Sequence, residues 1–486
     1  MPTIEFDAQD YRADQTFVRA HYRLDGDVAH GWKVFRDGAL ALELGAGYRP
    51  LRVRQCGVCS TDLARHHLPF PLPQVIGHEV LAADETGRRY VVEINASHKA
   101  RGVRSECAFC RAGLDTHCPE RVTLGIHALP GGFGPWILAP VAACLEVPGS
   151  VPDSAAVLVE PFAAALHAVA TIAPRNGDRI AVLGPRRLGM LVIAALAGVR
   201  AQRRAEGRDF TIVAVARDPA MLQLARTFGA TAAHAIGDGA PPLADGAFDV
   251  VIDTTGHPDG LQTAVRLARR EVHLKSTHGQ ESCGLRQLTA LVVDELAIAR
   301  FPDARPAPGT AVWQRGSGGR PRVAWLAAAA PPAWLLASAD VRQGDAASLA
   351  AFYAASRDGL PRADVAVADD AAQVDAAIRP RAGREEALIR PRGTVLVHPL
   401  ARALASPLLS AIVAHDLRLS SSRCGDFKKA LALLAADAEL RRIGERLVTN
   451  RFAAHDLPAA FAAAKSRACI KAVVEHEVLH ESVIRP

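Results

Sequence analysis

The stretch Arg179-Ile180-Ala181-Val182-Leu183-Gly184-Pro185-Arg186-Arg187-Leu188-Gly189 passes from an apolar strand through a glycine turn into the start of a helix. Four apolar residues between a charge and a glycine suit a strand buried on both faces, and the Ala/Leu-rich run Leu188–Val199 behind them suits a helix. The alternation continues through the strand Thr211–Ala216, the helix Ala220–Phe228, the strand Phe248–Asp253, the helix Gly260–Ala268 and the strand Val272–Ser276. Such an order places the strands parallel in one sheet covered by helices on both sides. The class expected here is α/β, with a doubly wound sheet.

Towards the N-terminus the texture changes. Short strands are expected at Ala39–Leu44, Leu51–Arg54, Tyr90–Ile94 and Trp136–Leu138, separated by Gly, Pro and charged residues, so the first third reads as β-rich. Towards the C-terminus, residues 301–320 break the alternation with Pro, Gly and Arg, as a linker would. It resumes with Val323–Leu326, Asp364–Ala368 and Thr394–His398. There is a weak internal echo. Phe248–Asp253, Glu271–Thr277, a helix near Leu285–Asp294 and Glu295–Arg300 run in the same order as Asp364–Ala368, Thr394–Pro399, a helix near Ser406–Asp416 and Leu417–Ser422. The simpler reading is two generic α/β units that look alike; the other is half a sheet duplicated.

A chain of 486 residues is long enough for two or three cores, and 49% hydrophobic with 22% charged residues is ordinary for a soluble protein. The net charge of +6 is spread along the chain, which gives no electrostatic case for nucleic acid or an anionic membrane. The start Met-Pro-Thr-Ile-Glu-Phe-Asp lacks a basic segment followed by an apolar one, and the Ala-rich stretches are broken by Arg, Asp or Pro, so a cytoplasmic location is expected. Five of the nine cysteines, Cys56, Cys59, Cys107, Cys110 and Cys118, fall within 63 residues, with His78, His98 and His117 among them. In a reducing compartment that clustering points to metal before disulfides.

Two constellations follow. Gly57-Val58-Cys59-Ser60-Thr61-Asp62 precedes Gly77-His78-Glu79, and Val159-Glu160-Pro161 stands downstream. A catalytic zinc takes three ligands from Cys, His and carboxylate and keeps one position open. Cys59, His78 and Glu160 would hold Zn²⁺ as a Lewis acid that polarises an alcohol oxygen; Thr61 could pass on the proton, and Asp62 could orient a ligand. The second constellation, Cys107-x2-Cys110-x7-Cys118, suits a closed structural zinc. It lacks a fourth ligand, for which His98 is the best candidate, with His117 and Asp115 as alternatives.

With these pieces in order the chain resembles the zinc-containing medium-chain dehydrogenases, in their threonine-, sorbitol- and glucose-dehydrogenase-like branches. The resemblance runs from about Gly38 to Gln280 and again from about Ser421 to Val474. It rests on the motifs just quoted, on Ile76 before Gly77, on Cys110-Arg111-Ala112-Gly113 through His117-Cys118-Pro119, and on Arg179–Gly184. It implies a GroES-like catalytic domain, completed from the C-terminus, around a Rossmann cofactor domain. It also implies catalytic zinc on Cys59, His78 and Glu160, with Glu79 able to enter the coordination shell. A nicotinamide cofactor is implied, and a homo-oligomer, because these enzymes are commonly dimers or tetramers.

Four departures stand out. Ala82 occupies the place of a customary glycine, and Arg104 that of a fourth cysteine of the structural site. The dinucleotide turn, usually Gly-x-Gly-x-x-Gly, reads Gly184-Pro185-Arg186-Arg187-Leu188-Gly189, with Arg186 where the backbone should approach the pyrophosphate. Gly184 and Gly189 still permit a phosphate at a helix N-terminus, and Arg186 could obstruct it or pair with it. Fourth, about 120 residues intervene between Val292–Arg300 and Ser422-Arg423-Cys424-Gly425. After the second strand, Val215-Ala216-Arg217-Asp218 offers Arg217 to a 2′-phosphate where NAD enzymes place an acid, so NADP is favoured over NAD. Lys275, Ser276 and Thr277 end a later strand, whose carboxyl edge should meet the nicotinamide.

The expected organisation is residues 1–165 as catalytic domain, completed by about 450–486, with 166–300 and 420–450 as cofactor domain and 301–420 as an inserted α/β lobe. The expected function is zinc-dependent hydride transfer between a nicotinamide cofactor and a small alcohol or polyol, or the matching carbonyl. The alternative is an inactive relative that binds a ligand or partner. A zinc-free quinone-type reductase conflicts with Cys59, His78 and Glu160.

Overall fold

The structure, a computed structural model, describes residues 2–237, 239–276, 279–305, 319–355, 360–381, 383–384, 386–400, 406–477 and 484–485. Its strands are β1 (Thr3–Tyr11), β2 (Phe17–Asp27), β3 (Gly31–Arg36), β4 (Ala39–Leu44), β5 (Tyr48–Gly57), β6 (Glu79–Ala83), β7 (Arg89–Val92), β8 (Asn95–Ala96), β9 (Val122–Thr123), β10 (Trp136–Pro140) and β11 (Cys144–Glu146). Then come β12 (Arg179–Leu183), β13 (Thr211–Ala216), β14 (Ala232–Ala235), β15 (Phe248–Asp253), β16 (Ala268–Leu274), β17 (Ala297–Arg300) and β18 (Arg322–Trp325). The last are β19 (Asp340–Gln343), β20 (Ala363–Ala368), β21 (Ile389–Val397), β22 (Arg418–Ser421), β23 (Val448–Ala453), β24 (Lys471–Glu475) and β25 (Ile484–Arg485).

Two units emerge: Met1–Ala163 with Cys424–Pro486, and Ala164–Arg423. In the first, one antiparallel sheet runs β25-β1-β2-β3-β4, and a second runs β11-β7-β6-β5-β24-β23 with β10 also on β5. Period-two alternation builds them: in β1, Ile4, Phe6 and Ala8 point into the core while Glu5 and Asp7 face solvent. The C-terminal strand β24 completes the second sheet, pairing Val473 with Gly57, and β5 in turn pairs Gly57 with Glu79. That register brings three distant segments to one spot.

In the second unit eleven strands form one sheet, ordered β14-β13-β12-β15-β16-β22-β17-β21-β20-β18-β19. Counting β12 to β17 as strands one to six, β14-β13-β12-β15-β16 is the usual doubly wound order 3-2-1-4-5. The expected inserted lobe is instead a continuation of this sheet. β18, β19, β20 and β21 add to it in the order 2-1-3-4, counting β18 to β21 as one to four and reading from the far edge. Their carbonyls and amides are satisfied by ladder bonds to neighbours already in the sheet, as in the parallel pairing of Ile298 with Val395. The expectation that 420–450 belongs to the cofactor domain also gives way. The division falls after Arg423, and the helix Ile443–Leu447 packs on Asp153–Ala156 of the first unit, with Gly444 close against the Ser154 backbone. Most of the expected linker, at 306–318, lies outside the described residues.

Among the described residues no helix is long and apolar enough to cross a membrane.

Candidate active site

β5 ends at Gly57, and the chain turns at Cys59 into the short helix Ser60–Leu63. Cys59 caps that helix in an extended conformation, and Asp62, three residues on, reaches back so that its Oδ2 accepts from Cys59 N at 2.8 Å. The other oxygen of this buried carboxylate stands 3.3 Å from His78 Nδ1. One acid therefore stands against both Cys59 and His78, by a hydrogen bond to the first and by charge to the second. Gly77, at φ +100°, needs to be glycine, because a Cβ there would run into Cys56 Sγ and the Phe133 ring. Glu79 opens β6 beside Gly57, and Lys471, two residues before the Val473 that pairs with Gly57, makes an ion pair with it and donates to Val58 O at 2.9 Å.

Ligand atoms of Cys59, His78 and Glu79 all lie within 4.8 Å of one another. Burial alone would push the His78 imidazole down, but the charges of Asp62 and Cys59 outweigh it and hold its pKa well above the ordinary histidine range. An anionic surround that holds a proton so firmly also favours a divalent cation. Thr61 Oγ1 stands 3.8 Å from Cys59 Sγ. Cys56, by contrast, is fully buried, and that burial pushes its thiol well up; it is a core residue. Glu160 sits half-buried in the first turn of the helix Val159–Ile172 and is not in the converging set, whose oxygen comes from Glu79.

The second cluster gathers His98, Cys107, Cys110 and Cys118 within the same 4.8 Å limit. Two sulfurs at tetrahedral positions about 2.3 Å from one zinc stand about 3.8 Å apart, and a sulfur and an imidazole nitrogen about 3.5 Å. Cys107 and Cys118 Sγ are 3.9 Å apart, and His98 Nδ1 lies 3.6 Å from Cys110 Sγ and 3.4 Å from Cys118 Sγ. The spacing fits a Cys3His site. His98 Nε2 faces Glu120 at 3.2 Å, the outer carboxylate that typically fixes a ligating imidazole. Burial first, and then the neighbouring Cys118, push the Cys110 thiol up to about 12, so without a cation beside it this group keeps its proton. The alternatives are engaged elsewhere: Asp115 pairs with Lys99 at 2.9 Å, and His117 Nδ1 lies 3.2 Å from Thr116 Oγ1. Arg104 is exposed.

In the second unit β12 turns through Gly184, at φ +70°, into the helix Arg187–Ala205, with Arg186 at its N-cap. A Cβ on Gly184 would strike Thr255, and one on Gly189 would strike Thr254 Oγ1 at 2.6 Å, so both glycines bring the turn close to the end of β15. Arg186, with φ −131°, needs no glycine for its backbone. Arg186, Arg187 and Leu188 are half-buried in the turn and first helical residues, and Arg217 is exposed just past β13. Ser276 is half-buried past β16, and Thr277 lies outside the described residues. Lys275 is buried and turned inward, donating to Ser422 O at 2.8 Å.

Glu120 and Lys471 were not legible in the sequence. No spacing ties Lys471 to Glu79, which lies 392 positions away; only the β5–β6–β24 register does. Removing the ammonium strands a buried carboxylate. Lys471→Met is therefore expected to lower the stability of the metal-free chain by about 3–5 kcal/mol in urea unfolding. Adding Glu79→Gln should recover most of that loss; a loss that persists in the double variant would show that packing, not charge, is at stake.

Residues 45–149 match the family model for the alcohol dehydrogenase GroES-like domain. The chain is 26% identical over 243 residues to an L-threonine 3-dehydrogenase of Aeromonas salmonicida, a match that covers 46% of this chain and 68% of that protein. It is 26% identical over 235 residues to a sorbitol dehydrogenase of Halalkalibacterium halodurans, covering 46% and 66%. A solved structure of a putative zinc-binding dehydrogenase from Sinorhizobium meliloti, bound to NADP, superposes with a TM-score of 0.53 at 17% identity, covering 98% of this chain and 99% of that one.

Proposed function

Because this chain is a medium-chain dehydrogenase/reductase of the zinc type, we propose that it transfers a hydride between a nicotinamide cofactor and an alcohol or polyol, or the corresponding carbonyl, at a zinc site in its first unit. The relatives support oxidoreduction of alcohols in general. The observation that carries the finer reading is the convergence of thiol, imidazole and carboxylate from Cys59, His78 and Glu79 within 4.8 Å, with Asp62 behind them.

Bound there, zinc would act as a Lewis acid on the substrate oxygen. The chain's own groups do the rest. Asp62 holds His78 in orientation, and Thr61 Oγ1 relays the proton that the alcohol loses, accepting it while releasing its own hydroxyl proton towards solvent. Glu79 supplies the oxygen ligand in the arrangement described, while Glu160 is the carboxylate that the resemblance implies. Zinc content of Glu79→Gln and Glu160→Gln, each measured after dialysis, decides between them. The Gly184–Gly189 turn takes the pyrophosphate at the N-terminus of Arg187–Ala205, where Arg186 adds a positive charge in place of close backbone approach. His98, Cys107, Cys110 and Cys118 hold a second, structural zinc.

Arg217 meets the 2′-phosphate of NADP. Arg217→Ala is expected to weaken NADP binding about tenfold, roughly 1.4 kcal/mol, and to leave NAD nearly unchanged. Titration of both dinucleotides by fluorescence checks it; an equal loss for both would place Arg217 away from the 2′ position.

The whole reading is tested with zinc-replete protein. Thermal-shift screening of polyols and sugars with NADP should pick out a stabilising substrate, and that substrate should reduce NADP. Absence of dinucleotide binding at millimolar concentration would leave the inactive, ligand-binding relative as the better reading, with Arg186 as the physical cause.

A further inference from the structure

The second unit repeats itself down to single hydrogen bonds. Arg179 N, opening β12, donates to Asp249 Oδ2 at 2.8 Å; Arg322 N, opening β18, donates to Asp364 Oδ2 at 2.9 Å. The remaining oxygen of each aspartate takes an arginine from the next strand, Arg269 and Arg390. Thr211 N donates to Asp178 O at 2.8 Å, and Asp340 N to Pro321 O at 2.9 Å. Lys275 N donates to Asp253 O at 3.0 Å, and His398 N to Ala368 O at 2.9 Å. Glu295 and Asp416 both adopt φ 54° ahead of a leucine and a four-residue strand. All these pairs obey one equivalence, set by the ladder registers of β12 with β15 and β18 with β20. Generic α/β units share strand order, but they have no reason to share side-chain contacts at matched positions.

The sixth strands are exchanged. In the usual order the sixth strand lies beside the fifth. Here β17 leaves β16 and pairs in parallel with β21, while β22, its counterpart, pairs in parallel with β16. β17 and β22 then meet antiparallel through Ile298 and Leu419, which are equivalent positions. A strand pairing with its own counterpart, residue against matching residue, is the signature of a two-fold isologous joint.

We infer that residues 322–421 are a second copy of the doubly wound fold of residues 179–300, without a counterpart of its third strand β14. The chain thus contains within itself a two-fold sheet joint between its two copies, and it works as a single chain with one dinucleotide site. The second copy has lost the turn: β18 runs into Leu326–Pro332 without a glycine, and the next helix, Ala333–Ser338, has only six residues. Trp325 fills the strand end, edge-on to Phe301 at 5.4 Å and to His398 at 5.9 Å, with its Nε1 donating to Ala329 O at 2.7 Å. The outer edges β14 and β19 are four residues each, β19 reading Asp-Val-Arg-Gln and largely exposed, so neither offers a second chain a long apolar strand.

The test uses the full-length protein. Light scattering should give the mass of one chain, 51.5 kDa. A variant with Ile298→Cys and Leu419→Cys, oxidised at low concentration, should form a cross-link that stays at one-chain mass on a denaturing gel. A two-chain mass in solution, or a cross-linked species of two chains, would overturn the internal joint; should the double variant fail to fold, the native mass still decides. The dinucleotide count rests on the proposed function, whereas mass and cross-link do not, so a failure of cofactor binding is told apart from a failure of the joint. One dinucleotide per chain is expected, and two would overturn the loss of the second site.

Discussion

Cys59→Ala is expected to remove one zinc equivalent per chain and to lower kcat/KM by at least about 10³-fold, roughly 4 kcal/mol of transition-state stabilisation. The thiol is one of three protein groups that converge on the site, and two neutral or singly charged ligands hold a divalent ion far less firmly than three. The fold should survive the change. Cys59 is half-buried, and the hydrogen bond that shapes its turn runs from its backbone nitrogen to Asp62, which alanine keeps. Unfolding of the metal-free protein should therefore shift by less than about 1 kcal/mol. Cys56→Ala provides the contrast. That thiol is wholly buried against Gly77 and Gly132, so its loss should cost about 1–2 kcal/mol of stability while zinc and activity stay in place. Metal analysis, steady-state kinetics and urea unfolding on the two variants separate the roles; zinc retained by Cys59→Ala would remove this thiol from the ligand set.

Cys118→Ala is expected to release the other zinc and to destabilise the chain by several kcal/mol, because metal binding at a structural site is folding free energy. Cys118 is fully buried, within contact of both Cys107 Sγ and His98 Nδ1, so no movement of the loop replaces it. What remains folded should turn over at close to the native kcat, since this loop carries none of the residues that converge around Cys59. Arg104→Cys, which restores the residue usual at that place, should add no metal: position 104 is exposed and His98 already fills the fourth corner. Differential scanning calorimetry with and without a chelator reads both. A chelator that leaves the native transition unmoved would mean that the cluster holds no structural ion.

These roles were legible to different depths. The core strands of both halves could be read because a strand buried on both faces is a short apolar run between polar breaks, as in Ile180–Leu183 and Val365–Ala368. Cys59, His78 and the Cys107–Cys118 loop could be read because ligand types at short spacing are rare by chance, and His98 because it follows a strand end. Strand partners were another matter. β17 and β22 are each four residues after a short helix, and nothing local says which of two fifth strands each will join; that choice is made by the whole sheet. Residues 301–420 therefore read as a separate lobe, although their strands extend the existing sheet. For the same reason the echo between the two halves is ambiguous in the sequence alone, and it is matched contacts such as those of Asp249 and Asp364 that support a duplication. Lys471 was invisible because its role depends on a register across three strands, and Glu120 because an exposed acid looks the same with or without a histidine to orient.

X-ray absorption at the zinc edge on the Cys118→Ala variant, which should hold only the ion of the first site, puts the geometry to the most direct test. One sulfur at about 2.3 Å, with nitrogen and oxygen at about 2.0–2.2 Å completing the shell, is the expected spectrum, and Cys59→Ala in the same background should abolish metal binding. A shell of nitrogen and oxygen without sulfur, or a zinc that survives the loss of Cys59, would contradict the assignment of Cys59, His78 and a carboxylate to one ion.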